Sequence, residues 1–237
     1  MRRSSQHSWQ AGRVAVLGVD GWRGAWVGAL LDGRSVRLVV LADAAAVLAV
    51  PDVEVVAIDM PIGLSEDGVR PCDATARDLL KPTGAASSVF PAPVRAVLAA
   101  ADYAEARELS RAAAHGRAPS AQTFMLVAAI RDLDDVLGDP PTDRVVEVHP
   151  ELAFRLGLGG VTDRKGTARG SVQRLRALRA VMDVEEALAE APAGVPLVDA
   201  LDACAAAWSA QRLAAGTAER VGDGTTDSRG RPMRICW

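Results

Sequence analysis

Aromatic residues are scarce in this chain: five Trp, three Phe and one Tyr make up 4% of 237 residues. So small a supply of large flat side chains argues against an all-β sandwich. The alanine runs at 44–46, 99–101 and 205–207 argue for closely packed helices instead. Cysteine is nearly absent. Cys72, Cys204 and Cys236 are odd in number, far apart and in no CxxC pair, which argues against a disulfide-stapled scaffold and a zinc site and suits a reducing, cytoplasmic setting. No run approaches the roughly 18 apolar residues of a membrane span. The polar start MRRSSQHSWQAGR has no apolar stretch of signal-peptide type, so residues 1–12 are expected to form a disordered tail and no membrane partner is expected. A large excess of charge is missing too: the net charge is -3, which provides no whole-molecule field for long stretches of nucleic acid. Lysine is rare, with Lys81 and Lys165 set among 25 arginines.

What is present, 49% hydrophobic and 24% charged residues, suits a chain that buries a sizeable core rather than a disordered one. Val14 to Val19 is an apolar, partly β-branched run that predicts a buried strand ending at an Asp20-Gly21 turn. Further strands are expected at Ala25 to Leu31 and, after the turn signal Asp32-Gly33-Arg34-Ser35, at Val36 to Leu41. A short helix over 43–49 leads to a fourth strand, Val53 to Ile58, which a helical crossover would set parallel to the first. Residues 61–143, punctuated by Pro71, Pro82, Pro91, Pro93 and Pro119, predict a helical insertion. Val145, Val146 and Val148 then give a fifth strand interrupted by Glu147, and helices follow over 169–182 and from Leu197 to Gly216. With no repeat and no clear linker, residues 13–237 are expected to be a single α/β domain. Hairpin, hairpin, crossover, crossover is the element order of a ribonuclease-H-like fold. That likeness implies a mixed five-stranded sheet, an antiparallel meander plus parallel strands, with helices on both faces. A doubly wound nucleotide-binding fold would need a helix between the first two strands, and there is no room for one between Asp20 and Ala25.

The chemistry is suggested by where the carboxylates fall. Asp20 ends the first strand, Asp59 follows the fourth, Glu147 interrupts the fifth, and Asp199 and Asp202 stand three apart on one face of the last long helix. Asp and Glu are rarely buried without partners, and several together repel strongly at low effective dielectric. A hard divalent cation with oxygen ligands, Mg²⁺ or Mn²⁺, relieves that repulsion and can activate water for phosphodiester cleavage. Asp20, Asp59 and Asp202 are the expected metal ligands, with Glu147 and Asp199 in support. Each residue also has a structural explanation: Asp20 as a turn residue, Asp59 as a loop cap, Asp199 against a helix dipole, the others as partners of Arg. His149, between Glu147 and Glu151, is a candidate proton shuttle or orienting group. Arg23, Arg70, Arg77, Ser88 and Arg95 offer guanidinium forks and a hydroxyl for phosphate or carboxylate recognition. Lys165, retained in an Arg-dominated chain, is a candidate point charge beside a phosphate.

Six segments occur in order: GVDGWRGAW (18–26), AIDMPIGL (57–64), RPCDATARDLL (70–80), SSVFPAPVR (87–95), EVHPELAF (147–154) and DALDACAAAW (199–208). Together they resemble the domain-of-unknown-function family 429, a group predicted to be nucleases of ribonuclease-H-like fold. The DALDA segment is also similar to the last helix of Holliday-junction resolvases, in which two Asp three apart complete a metal site. That likeness implies that Asp199 and Asp202 close a site opened by Asp20 and Asp59. Those resolvases carry Glu on the fourth strand where this chain has Asp59, one methylene shorter. The resulting expectation is a metal-dependent nuclease or phosphodiesterase that grips nucleic acid locally. Two other readings stay open: a single-copy actin-like nucleotide hydrolase, and a non-catalytic binding module on the same fold.

Overall fold

A computed structural model describes residues 15–138 and 142–237; the expected tail at residues 1–12 lies outside them. The sheet contains β1 (Ala15–Trp22), β2 (Ala25–Asp32), β3 (Ser35–Leu41), β4 (Val53–Ile58) and β5 (Val145–Glu147), in the spatial order β3-β2-β1-β4-β5. β2 is antiparallel to β1 and β3, β4 is parallel to β1, and β5 is parallel to β4, so β2 alone runs against the rest. The two hairpins follow from their short links. The β3 to β4 crossover passes through α1 (Ala44–Leu48), whose first turn is capped by the Asp43 carboxylate accepting from the Ala46 amide at 2.7 Å.

The first turn is displaced from its expected place. β1 runs on past Asp20, which pairs with Val27, and Gly21, which pairs with Trp26. The chain reverses at Arg23 and Gly24, with φ of 49° and 78°. Two consecutive positive φ angles are what a tight two-residue hairpin loop requires, so the strand twist rather than the Asp-Gly pair sets the turn. Asp20 is therefore held within the strand by its pairing with Val27 of β2.

Alternation along the strands divides the core into two layers. Val16 of β1, Val27, Ala29 and Leu31 of β2 and Ala57 of β4 pack with α8 (Leu197–Ala214), whose residues 200–207 are all buried. Leu17 and Val19 of β1, Leu30 of β2 and Val56 and Ile58 of β4 face the opposite side, against Val47 of α1 and Ile130 and Leu133 of α4 (Ala121–Val136). The approach of α8 is so close that a Cβ on Gly18 would lie 1.9 Å from the Ala207 nitrogen and 2.3 Å from the Ala203 carbonyl oxygen. Gly18 and the alanines of α8 are thus one packing device: small residues on both sides bring helix backbone onto strand backbone.

The stretch between β4 and β5 carries α2 (Pro71–Leu80), three short 3₁₀ turns, α3 (Tyr103–Ala113) and α4, as the proline-punctuated sequence leads one to expect. After β5 come α5 (Pro150–Leu152), a π-helical turn over Ala153–Leu158, α6 (Ala168–Arg179), α7 (Val184–Ala189) and α8. A small antiparallel pair, β6 (Arg220–Val221) and β7 (Ile235–Cys236), closes the chain. Among the described residues no helix is long and apolar enough to cross a membrane.

Candidate active site

Strand parity brings the first two carboxylates to one face. In β1, Val16 and Gly18 lie on the α8 side, so Asp20 does as well; in β4, Val55 and Ala57 pack toward that layer, and Asp59 continues the alternation just beyond the strand end. The Gly18 to Ala57 register sets the two aspartates on neighbouring strands, and the Asp59 amide donates to the Val19 carbonyl oxygen at 2.9 Å. Asp202 reaches the same region from α8, where it is fully buried. Lys165, on the loop before α6, closes the cluster: its Nζ donates to Asp202 Oδ2 at 2.7 Å while its side chain stays half exposed. One polar contact tethers Asp20, whose Oδ1 accepts from the Gly21 amide at 2.8 Å.

The electrostatics follow from this convergence. Burial raises Asp20 well above the ordinary carboxylate value, and Asp59 and Asp202 raise it further against the pull of Lys165. Burial pushes Asp59 up to about 7, with Lys165 opposing and Asp202 and Glu151 adding to the rise. Asp202 is raised by burial although Lys165 attracts and bonds it. For Lys165 burial favours the neutral amine, but Asp202, Asp59 and Asp20 outweigh it and hold the ammonium above its usual range. Asp199, in the first turn of α8, is raised by burial and partly relieved by Lys165 and Arg23, so both cations lie within electrostatic reach of it.

Among the described residues, the fully buried carboxylates other than Asp202 are in a different state. Asp73 and Glu147 share Arg70, Glu151 holds Arg174 and Arg155, Asp134 holds Arg231 and Arg95, and Asp227 holds Arg95. Each is neutralised by a guanidinium, as a buried charge requires. Among the described residues, Asp20, Asp59 and Asp202 have no arginine bonded to them.

Several residues expected at the site stand elsewhere. Glu147 pairs with Ile58, which faces the α4 layer, while Val146 and Val148 take the α8 side; parity therefore turns Glu147 away from Asp59. There its carboxylate accepts from both Arg70 terminal nitrogens at 2.7 Å and from the Ile62 amide at 2.7 Å. Burial still lifts Glu147 to about 7, Arg70 opposing. Arg70 is itself fully buried, also donating to Asp73 and to the Ile62 and Gly63 carbonyls, so no donor of it is left for a substrate. Arg95 is bound to Asp134 and Asp227, Arg77 donates to the Val89 carbonyl at 2.6 Å, and the Ser88 hydroxyl donates to the Ala85 carbonyl at 2.7 Å. These four groups organise the insertion. His149 stays near the cluster: burial lowers its pKa, Glu151, Lys165 and Asp202 act on it, its Nε2 lies 3.3 Å from the Ser88 carbonyl, and its Nδ1 is buried without a partner among the described residues.

Glu151 is the residue that the sequence alone does not single out. It acts on Asp59, Asp202 and His149 at once, and Arg155 and Arg174 fix its position. Its i,i+4 spacing to Arg155 is the one signal in the sequence.

The donor set suits a hard divalent cation in kind and in charge: carboxylate oxygens from three elements, with one ammonium against three aspartates. It is not disposed as a finished cage. Among the described residues no group of three or more His, Cys, Asp or Glu is arranged to hold a metal ion, and Asp202 is taken up by Lys165. Because the Lys165 side chain is half exposed, it can leave Asp202 without crossing packed core.

Comparison with known proteins agrees with the six sequence segments. No curated protein and no solved structure matches the chain. The model of a family described as "Protein of unknown function (DUF429)" matches residues 18–227, a span that begins at the glycine beneath α8 and contains Asp20, Asp59, Lys165 and Asp202. The chain therefore belongs to the DUF429 family.

Proposed function

We propose that this protein is a divalent-metal-dependent phosphodiesterase or nuclease of ribonuclease-H-like fold, with Asp20, Asp59 and Asp202 as its metal ligands. The fold reading is supported by the strand order β3-β2-β1-β4-β5 with β2 alone reversed. The observation that carries the activity is the convergence of three carboxylates without an arginine partner, whereas every fully buried carboxylate besides Asp202 among the described residues has one. Asp202 has Lys165, but Asp20 and Asp59 have no cation bonded to them among the described residues, and ionising them there costs several kcal/mol, a cost that folding alone does not require. Mg²⁺ or Mn²⁺ held there supplies Lewis-acid polarisation of a phosphoryl oxygen and activation of water.

The chain's own residues have separate tasks in this reading. Asp20 and Asp59 offer carboxylate oxygens from a rigid sheet, and Asp202 offers one from a helix locked against Gly18. Asp199 and Arg23 stand at the rim. Lys165 neutralises Asp202 in the resting site and offers an ammonium to a phosphate when it turns outward. His149, whose Nδ1 has no partner among the described residues, is placed to orient or shuttle a proton.

The test is incubation of wild type and Asp59→Asn with Mg²⁺ or Mn²⁺ on branched and single-stranded DNA and RNA and on a small aryl phosphodiester. Metal-dependent cleavage that falls by at least about a hundredfold in the variant is expected. No cleavage by wild type, or equal cleavage by both, overturns the proposal.

A further inference from the structure

From Arg164 to Met182 the chain contains no Asp or Glu but five Arg and one Lys, in a protein whose net charge is -3. Arg174 is consumed internally by Glu151. The other five cations are exposed, and Arg169, Arg176 and Arg179 lie on one face of α6 with the exposed Val172 between them. Arg169 lies 3.6 Å from the partly buried Asp163 and Arg179 lies 3.2 Å from the exposed Glu185, and with both guanidinium groups open to solvent such pairs are weak enough for a phosphate to displace. Arg176 has no ion pair among the described residues.

This stripe is joined to the carboxylate cluster. The loop before α6 is pinned to the helix: the Gln173 side-chain carbonyl accepts from the Thr162 amide at 3.0 Å and the Asp163 amide at 2.9 Å, and Arg174 donates to the Asp163 carbonyl at 3.1 Å. The same loop carries Lys165 to Asp202. The cationic face therefore starts at the site and runs away from it for about 15 Å, the rise from Arg169 to Arg179. At roughly 3.4 Å of rise per nucleotide of one strand, that length accommodates about four phosphates.

We propose that this face of α6 is the track on which a nucleic-acid strand lays its phosphate backbone, with Lys165 at the end nearest the carboxylates. The proposal rests on the phosphodiesterase reading and deepens it, naming a polynucleotide rather than a small phosphodiester as the substrate class. Arginine forks match phosphate oxygens, and Val172 gives sugar or base an apolar surface between them. The affinity is local, which reconciles a polyanionic partner with an acidic protein.

The test is fluorescence-anisotropy titration of a labelled single-stranded 20-mer with the full chain in EDTA, over a series of salt concentrations. Arg169→Gln/Arg176→Gln/Arg179→Gln is expected to weaken binding by about tenfold or more and to make the slope of log K against log salt shallower by about 2. The Lys triple at the same positions is expected to keep the slope. A control with the same charge change on other exposed arginines, Arg37→Gln/Arg107→Gln/Arg111→Gln, is expected to lose far less. The proposal is overturned by absence of wild-type binding, by equal losses in the two Gln triples, or by capture of anionic lipid vesicles in place of the oligonucleotide. Since EDTA removes any metal-dependent step, failure to cleave with Mg²⁺ would count against the catalytic reading and leave this result standing.

Discussion

At the scale of single residues, the Asp59 proton distinguishes a strained carboxylate from a structural one. Burial carries it to about 7 in the folded protein, against roughly 3.9 in an unfolded chain. A carboxyl with a raised folded pKa holds its proton more tightly when folded. The stability this gives is present below about pH 4 and is lost as pH rises through about 7. Asp59→Asn keeps the shape and never ionises, so it is expected to melt above wild type at pH 8 by on the order of 2 kcal/mol, after discounting for the solvent that reaches this partly exposed side chain. That corresponds to about 4–8 °C in a domain of this size. The two proteins are expected to melt together at pH 4. Thermal melts in EDTA at both pH values decide it, and coincident curves at pH 8 would mean that Asp59 bears no uncompensated charge. Glu147 reaches a similar value by burial but has Arg70 bound to it. The same titration at two carboxylates thus has two meanings, separated by the guanidinium bound to Glu147.

At the scale of elements, the device that builds the site is the contact of β1 with α8. A Cβ at Gly18 would sit within 3 Å of three backbone atoms of the helix, none of which can rotate away. Gly18→Ala must therefore lift α8 from the sheet and carry Asp202 away from Asp20 and Asp59. A loss of at least about 3 kcal/mol in urea unfolding is expected, larger than ordinary overpacking because backbone rather than side chain must move. A wild-type midpoint would show that the helix is held less closely than this contact requires. Much of this layer was legible in the sequence. Runs of Val and Leu marked the strands, β4 to the residue, and the aspartates at Asp20 and Asp59 stood out because they continued buried strands. The face of Glu147 was not legible: β5 has only three residues, and its parity depends on register with β4, which sequence spacing does not contain. Arg70, 77 positions away in the chain, gave no local sign of being its partner. α8 hid its orientation for the opposite reason, since residues 200–207 are all buried and no apolar stripe remains to be read. Lys165 was visible as a rare residue type, whereas its contact with Asp202 depends on a loop folded back onto α6.

At the scale of the whole molecule, a net charge of -3 conceals a separation of charge. The carboxyl groups of β1, β4 and α8 crowd acidic residues into one region, and the exposed face of α6 beside it carries arginines. Burying Asp20, Asp59 and Asp202 together opposes folding, first through desolvation and then through their mutual repulsion, unless a further cation enters the cluster. A divalent cation that binds the folded chain alone turns that repulsion into attraction and stabilises the protein in proportion to its occupancy. At a hundred times the dissociation constant the gain is about 2.7 kcal/mol, or roughly 5–11 °C in melting temperature. Titration with Mn²⁺ or Mg²⁺ is therefore expected to raise the melting temperature of wild type progressively and saturably, while Asp20→Asn/Asp202→Asn is expected to melt higher than wild type without metal and to be indifferent to its addition. The two halves of that result depend on each other: the variant gains stability in EDTA only if ionised Asp20 and Asp202 are costly to bury in the cluster, and it loses the metal response only if the same carboxylates are the ligands. If metal shifts both proteins equally, the cation binds elsewhere. If the variant is no more stable than wild type in EDTA, Lys165 already balances the cluster and the charge separation has a structural origin alone.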